Sequence, residues 1–191
     1  MSATPSFLGQ RAVILHRRSD ATASLARCCN LLGIRAEIRW QPLRADEGVD
    51  IVFVDADEGW DGLLPWTAPD KPIPLVALLG SEAPGRIAWA LDQGADALIM
   101  KPVVSSTVFP ALVMAARRHA EGREIARRIA RLEERVRLRP LVHAAVQSLM
   151  AGDGCGEEEA YDALRREAMQ RRITLEQTAA ALLVRPRKQV G

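Results

Sequence analysis

No apolar run in this chain approaches the ~18 residues that a membrane-spanning helix requires, and the N-terminal MSATPSFLGQ lacks a basic stretch followed by an apolar one. Neither a membrane span nor a secretory leader is therefore expected, and a reducing cytoplasm is the expected setting. Cysteine is scarce, with Cys28 and Cys29 adjacent and Cys155 alone. Such a set supports no disulfide framework and no zinc site. Within a helix, Cys28 and Cys29 read as small apolar residues rather than reactive thiols. Histidine is equally sparse: His16, His119 and His143 lie far apart without metal-ligand spacing. P-loop, GxSxG and HExxH motifs are all missing. No catalytic residue, resident metal or cofactor is expected.

Lysine is nearly absent from the second part of the chain. Residues 1–122 hold 12 basic and 14 acidic residues, a balance of −2, whereas residues 123–191 hold 14 basic and 10 acidic, a balance of +4. Of those 14 basic residues, all but Lys188 are arginine. The guanidinium fork suits phosphates and stacks on bases, so nucleic acid is a candidate partner; a genome biased to arginine codons would leave the same mark.

What is present begins with short apolar runs separated by helical patterns. Ala12–His16 reads as a buried strand, and Ser19 with Asp20 offers a cap for a helix that reaches Leu32 and stops at Gly33. Ile34–Trp40 alternates as a second strand, while Asp50–Val54 is apolar on both faces, as in a parallel sheet. Leu75–Leu79 and Ala97–Met100 supply two more strands, with a helix over Pro84–Gln93 between them, closed by Gly94. Five strands with intervening helices predict an α/β fold, a doubly wound parallel sheet of the flavodoxin-like kind. Asp57–Pro74 makes a poor helix because Pro65, Pro69, Pro72 and Pro74 interrupt it. Trp60 and Trp66 in that loop are either protein-binding anchors or packing against the sheet.

The second part is all helical. Over Arg123–Arg139, Ile125, Ile129, Leu132 and Val136 recur at spacings of four, three and four amid charged residues, the seam of a coiled coil. Such a narrow stripe predicts homodimerisation; a solvated helix lying on its own domain is the alternative. Gly122 should be a weak point, and Pro140 should kink or restart the helix. Three short helices follow. Leu141–Met150 comes first, then AGDGCG over 151–156 as a turn. Glu157–Gln170 is expected to bury Ala160, Tyr161, Leu164, Ala168 and Met169. Leu175–Val184, with Thr174 and Gln177 as its capping box, is expected to bury Leu175, Thr178, Ala179, Leu182 and Leu183 before Pro186 ends it. Arg165, Arg166, Arg171 and Arg172 concentrate charge at the end of the middle helix. They suit an RNA backbone and unstacked bases; the plainer use is a solvated face, with Asp162 paired to Arg165 or Arg166.

Two stretches carry family resemblances. DIVFVD at 50–55, WDG at 60–62 and GADALIMKPV at 94–103 resemble the receiver domain of two-component response regulators. The resemblance implies Asp55 as the phosphoacceptor and Lys101 as the strand-5 lysine. It also places His16 and Arg17 where the family holds magnesium with acids, and Leu79 where it has a hydroxyl. This degenerate pocket predicts a pseudo-receiver in which Arg17 offers Asp55 a salt bridge. VHAAVQSLM at 142–150, EEEAYDALRREAM at 157–169 and TLEQTAAALL at 174–183 resemble the ANTAR domain, an RNA-binding module of antitermination regulators. Ala145-Val146-Gln147 stands where that family usually has Ala-Lys-Gly, which removes a possible phosphate contact.

Together the parts resemble the antitermination regulators of amidase operons. That resemblance implies a tail over 1–10, a pseudo-receiver over 11–121, a coiled-coil dimerisation helix over 122–139 and an ANTAR domain over 140–186. It implies a homodimer that binds leader-mRNA hairpins, with RNA contacts at Arg165, Arg166, Arg171, Arg172, Gln147 and His143. Control by a ligand-sensing negative-regulator protein is implied in place of phosphorylation. A DNA-binding or phosphorylation-dependent response regulator is the alternative.

Overall fold

The computed structural model describes residues 5–184, so the first four residues of the tail and the expected stop at Pro186 lie outside the described residues. Two compact units divide the chain between Arg123 and Glu124.

The first unit is built on five parallel strands: β1 (Arg11–Leu15), β2 (Arg35–Arg39), β3 (Ile51–Asp55), β4 (Leu75–Leu79) and β5 (Ala97–Met100). Their order is β2-β1-β3-β4-β5, with Val13 beside Val52, Phe53 beside Val76 and Ala77 beside Leu98. The chain runs outward from β1 to β2 and then returns to β3 on the other side. The order thus switches between β1 and β3, and in such sheets the crevice lies beyond the strand C-termini at that point. Every residue of β3 and β4 is buried, which is why these runs carry no polar alternation. Ile14, Leu25, Phe53, Leu78, Ile99 and Leu112 form one core cluster, and Leu15, Val52, Val54, Leu63, Leu79 and Ala90 form a second.

Helix α1 (Asp20–Leu31) is capped by Ser19, whose Oγ accepts from the Thr22 amide at 3.3 Å while its own N–H donates to Thr22 Oγ1 at 2.9 Å. Gly33 ends it at φ +77°, where an added Cβ would stand 2.5 Å from Leu8 Cδ1. Between β3 and β4 the proline-rich loop forms one 3-10 turn, Ala68–Asp70, and covers the sheet with Leu63, Leu64 and half-buried Trp66. Trp66 is therefore a packing residue. Trp60 stays 40% exposed, edge-on to Trp40 at 5.0 Å. Helix α2 (Pro84–Asp92) packs Ala90 into the second cluster.

Helix α3 runs from Ser105 to Asp153. Neither Gly122 nor Pro140 interrupts it, so the restart expected at Pro140 does not occur, while the boundary between the two units falls one residue after Gly122. Proline at 140 lacks an N–H for the carbonyl of Val136, but both residues are exposed and water can serve that oxygen. The turn expected from 151 begins only at Gly154, which adopts φ +65°.

In the second unit, α4 (Glu157–Arg171) and α5 (Leu175–Val184) pack with the later part of α3 around Ala145, Val146, Ala160, Leu164 and Ala179. Thr174 and Gln177 form the expected capping box of α5. Three residues expected inside are not. Tyr161 is 43% exposed, Met169 70% and Leu183 38%. Ala160, Leu164 and Ala168 recur every fourth residue and make a narrow stripe, so their next neighbours turn about 100° away from it.

A core this small depends on each large member. Leu164→Ala should destabilise the second unit by about 2–4 kcal/mol, whereas Met169→Ala should change it by less than about 0.5 kcal/mol. Urea unfolding followed by circular dichroism measures both.

Candidate functional sites: a degenerate acidic pocket and a basic helical face

Beyond the C-terminal ends of β1, β3 and β5, the side chains of His16, Asp55 and Lys101 come together. Asp55 is 2% exposed and His16 8%. Lys101 Nζ lies 3.0 Å from Asp55 Oδ1 and 2.7 Å from Asp57 Oδ2. His16 Nε2 lies 3.0 Å from Asp55 Oδ2 and 3.3 Å from Lys101 Nζ. His16 Nδ1 stands 2.6 Å from the Arg17 carbonyl oxygen, an acceptor, so that nitrogen carries a proton. Nε2 is then left to accept from Lys101. Burial opposes the charge on Lys101, but Asp57 and Asp55 outweigh it and raise its pKa above the ordinary lysine value.

Asp57 was not among the expected site residues, although its place two residues after Asp55 was a signal. Its amide donates to Asp55 Oδ1 at 3.0 Å, and its carboxylate accepts from the Gly80 amide at 2.6 Å. A Cβ at position 80 would come within 2.8 Å of Asp57 Oδ2, so a larger residue there would push that carboxylate aside. Leu79, at the expected hydroxyl position, is 1% exposed in the core and offers the pocket no polar atom.

The expected salt bridge between Arg17 and Asp55 does not form. Arg17 Nε lies 2.9 Å from Glu58 Oε2, with both side chains more than half exposed. His16 takes the inward place next to Asp55 and leaves Arg17 outside.

Magnesium in such a pocket needs several oxygen ligands, and a transferred phosphoryl group needs the metal to neutralise its charge. Here the lysine binds both carboxylates, and the positions of the family's acidic pair hold an imidazole and an outward guanidinium. The donor set does not fit magnesium, and no group of three His, Cys, Asp or Glu among the described residues is placed to hold a metal.

In the second unit, the four expected arginines differ in their surroundings. Arg165, Arg166 and Arg172 are exposed, and none has a carboxylate within 4.0 Å among the described residues. The plainer pairing of Asp162 with Arg165 or Arg166 is therefore not formed. Arg171 Nη2 is paired with Glu167 Oε1 at 2.6 Å, and Arg172 caps α4 in the left-handed region at φ 54°. Arg165 and Arg166 do not share a face, since one residue turns the helix by about 100°. Arg165 instead lies one turn from Tyr161.

His143 and Gln147 are exposed on α3. His143 joins Arg135, Arg139, Glu157, Tyr161 and Glu176 around a recess of about 400 Å3, which Gln147, Arg165, Arg166, Arg171 and Arg172 do not line. The sequence reading missed Arg135, Arg139 and Tyr161 as site residues. Their signal was the i, i+4 series 135–139–143 and the presence of one tyrosine in the whole chain. Arg135 Nε stands 3.6 Å from Glu176 Oε1. The Glu176 carboxyl is held below its ordinary pKa, chiefly by its own backbone amide at the start of α5, with help from Thr174 and Arg135 against burial.

Along α3, the apolar stripe is uncovered: Ile125 is 59% exposed, Ile129 49%, Leu132 51% and Val136 61%.

The pocket generates one prediction. With acetyl phosphate and magnesium, the protein should take up no phosphoryl group on Asp55, as intact mass spectrometry would show; an acid-labile adduct on that residue contradicts the reading.

Residues 10–116 match the family described as AmiR, N-terminal, and residues 130–183 match the ANTAR domain family. The chain is 30% identical over 177 residues to the aliphatic amidase regulator of Pseudomonas aeruginosa, covering 91% of this chain and 90% of that protein. It is 33% identical over 110 residues to the transcriptional regulatory protein PdtaR of Mycobacterium tuberculosis, covering 58% of this chain and 54% of that one. A two-component response regulator structure from Clostridium difficile aligns with TM-score 0.46 and 18% identity, over 58% of this chain and 98% of that chain. The likeness to the amidase regulator extends through both units, and the chain belongs to the AmiR-type family of regulators that carry an ANTAR domain.

Proposed function

We propose that this chain is an RNA-binding transcription antitermination regulator that acts as a homodimer and answers to a protein partner rather than to phosphorylation. One observation carries the reading: the ANTAR match at 130–183 falls on the unit whose arginines 165, 166 and 172 stand exposed and unpaired with carboxylates among the described residues. Guanidinium groups free of carboxylates are available to phosphates and loop bases.

The apolar stripe Ile125, Ile129, Leu132 and Val136 is the dimer seam, because four half-exposed aliphatic residues at heptad spacing match a second copy of themselves. A dimer presents two RNA-binding units, so two hairpins of one leader transcript are held with gain in effective concentration. Stabilising that antiterminator form over the terminator needs only a difference in binding free energy between two RNA folds, with no covalent step. The protein has no enzymic role in this reading and works in the cytoplasm.

The pocket supports control by contact: Lys101 holds Asp55 Oδ1, and His16 Nε2 stands 3.0 Å from Oδ2 where the family places a magnesium-binding acid. A ligand-sensing protein that sequesters the regulator supplies the signal instead. No described helix is long and apolar enough to cross a membrane, which leaves both RNA and such a partner in reach.

Two outcomes check this reading. Labelled leader RNA from the chain's own operon should shift in a gel where promoter DNA of equal length does not. Arg165→Ala or Arg166→Ala, if the arginine meets a phosphate, should lower the log–log salt slope of RNA binding by about 0.7 without unfolding the unit. Wild-type RNA affinity in folded variants at 165, 166, 171 and 172 would remove these arginines from the interface.

Ile129→Glu with Leu132→Glu should abolish dimerisation in analytical ultracentrifugation, because each places a charge in the seam. RNA affinity should fall with it.

A further inference from the structure

The recess in the second unit has the chemistry of a nucleobase site. Its volume of about 400 Å3 lies within the ~300–1,000 Å3 of small-ligand pockets. Tyr161 lines it with a ring that is 43% exposed, although α4 otherwise buries only alanine and leucine. The tyrosine hydroxyl makes no hydrogen bond among the described residues, and Arg139 has no carboxylate within 4.0 Å there. Arg135 is engaged with Glu176, while Glu157 and His143 face the same recess.

This mixture of charge distinguishes the ligand. A phosphate is drawn by two arginines and repelled by two glutamates, so the recess has no clear preference for an anion. A flat base differs: it stacks on an aromatic ring and offers acceptors and N–H donors along one edge. A guanidinium and a carboxylate beside a ring satisfy both kinds of edge atom. Resting on the RNA-binding reading above, we propose that this recess takes one unstacked nucleobase of the RNA loop, with its plane on Tyr161 and its edge between Arg139 and Glu157. Arg165, one turn along α4 from Tyr161, then meets the adjoining backbone.

The test uses the full chain and a hairpin selected on it from a library with a randomised loop. Replacing each loop base in turn by an abasic site should reveal one position whose loss weakens binding roughly tenfold or more. Tyr161→Leu should cause a similar loss, Tyr161→Phe should stay close to wild type, and Tyr161→Leu with the abasic hairpin should lose little more than either alone. A hairpin with 2-aminopurine at that position should be quenched on binding the unmodified protein, a readout that holds even if Tyr161→Leu fails to fold. Unchanged 2-aminopurine fluorescence, or wild-type affinity in a folded Tyr161→Leu variant, overturns the base site while RNA binding itself stands. If selection yields no hairpin bound more tightly than duplex DNA, the RNA-binding reading fails and this proposal falls with it.

Discussion

Two carboxylates at the end of a parallel sheet need a cation, and the first unit answers that need from within. Asp55 is almost completely buried and Asp57 half-buried, and Lys101 reaches both. An unpaired buried charge is costly, so the lysine cannot leave without a replacement cation. In a pocket with further acids, a divalent metal could be that replacement. Here His16 occupies the place beside Asp55 and adds a nitrogen where another oxygen would be needed. The site therefore closes on itself: the fold keeps the receiver-like sheet, while the donors around Asp55 do not make the oxygen set that magnesium needs.

In the second unit the constraint is different, because the core contains few residues and most of them are small. Little side-chain volume lies inside, so the larger residues of α4 are displaced to its margin. Tyr161 and Met169 are exposed for that reason, and the tyrosine becomes part of a recess with side chains from α3 and α5. A minimal core thus leaves its surface rich in groups that can bind.

The long helix α3 carries a stripe too narrow to be buried by its own unit. Its aliphatic residues stay about half exposed while arginine and glutamate flank them. Such a stripe is complementary to an identical one, which is a property of the heptad spacing rather than of any local contact.

The sequence by itself determined the parallel sheet, because runs such as Ile51–Val54 and Leu75–Leu79 have no polar residue to turn toward water. It also determined the caps at Ser19 and Thr174 and the stop at Gly33, which follow from chemistry within four residues. Asp55 and Lys101 were legible as pocket residues through the resemblance of DIVFVD and GADALIMKPV to receiver domains. Only the tertiary structure decided which partner each charge takes. Arg17 and His16 are neighbours in sequence, but the strand end turns one toward Asp55 and the other toward Glu58. Only the structure showed that α3 continues through Pro140, since exposure of the freed carbonyl is a property of the folded surface. The recess around Tyr161 was hidden for the same reason. Its residues come from three helices, and their distance in sequence carries no record of the space they enclose.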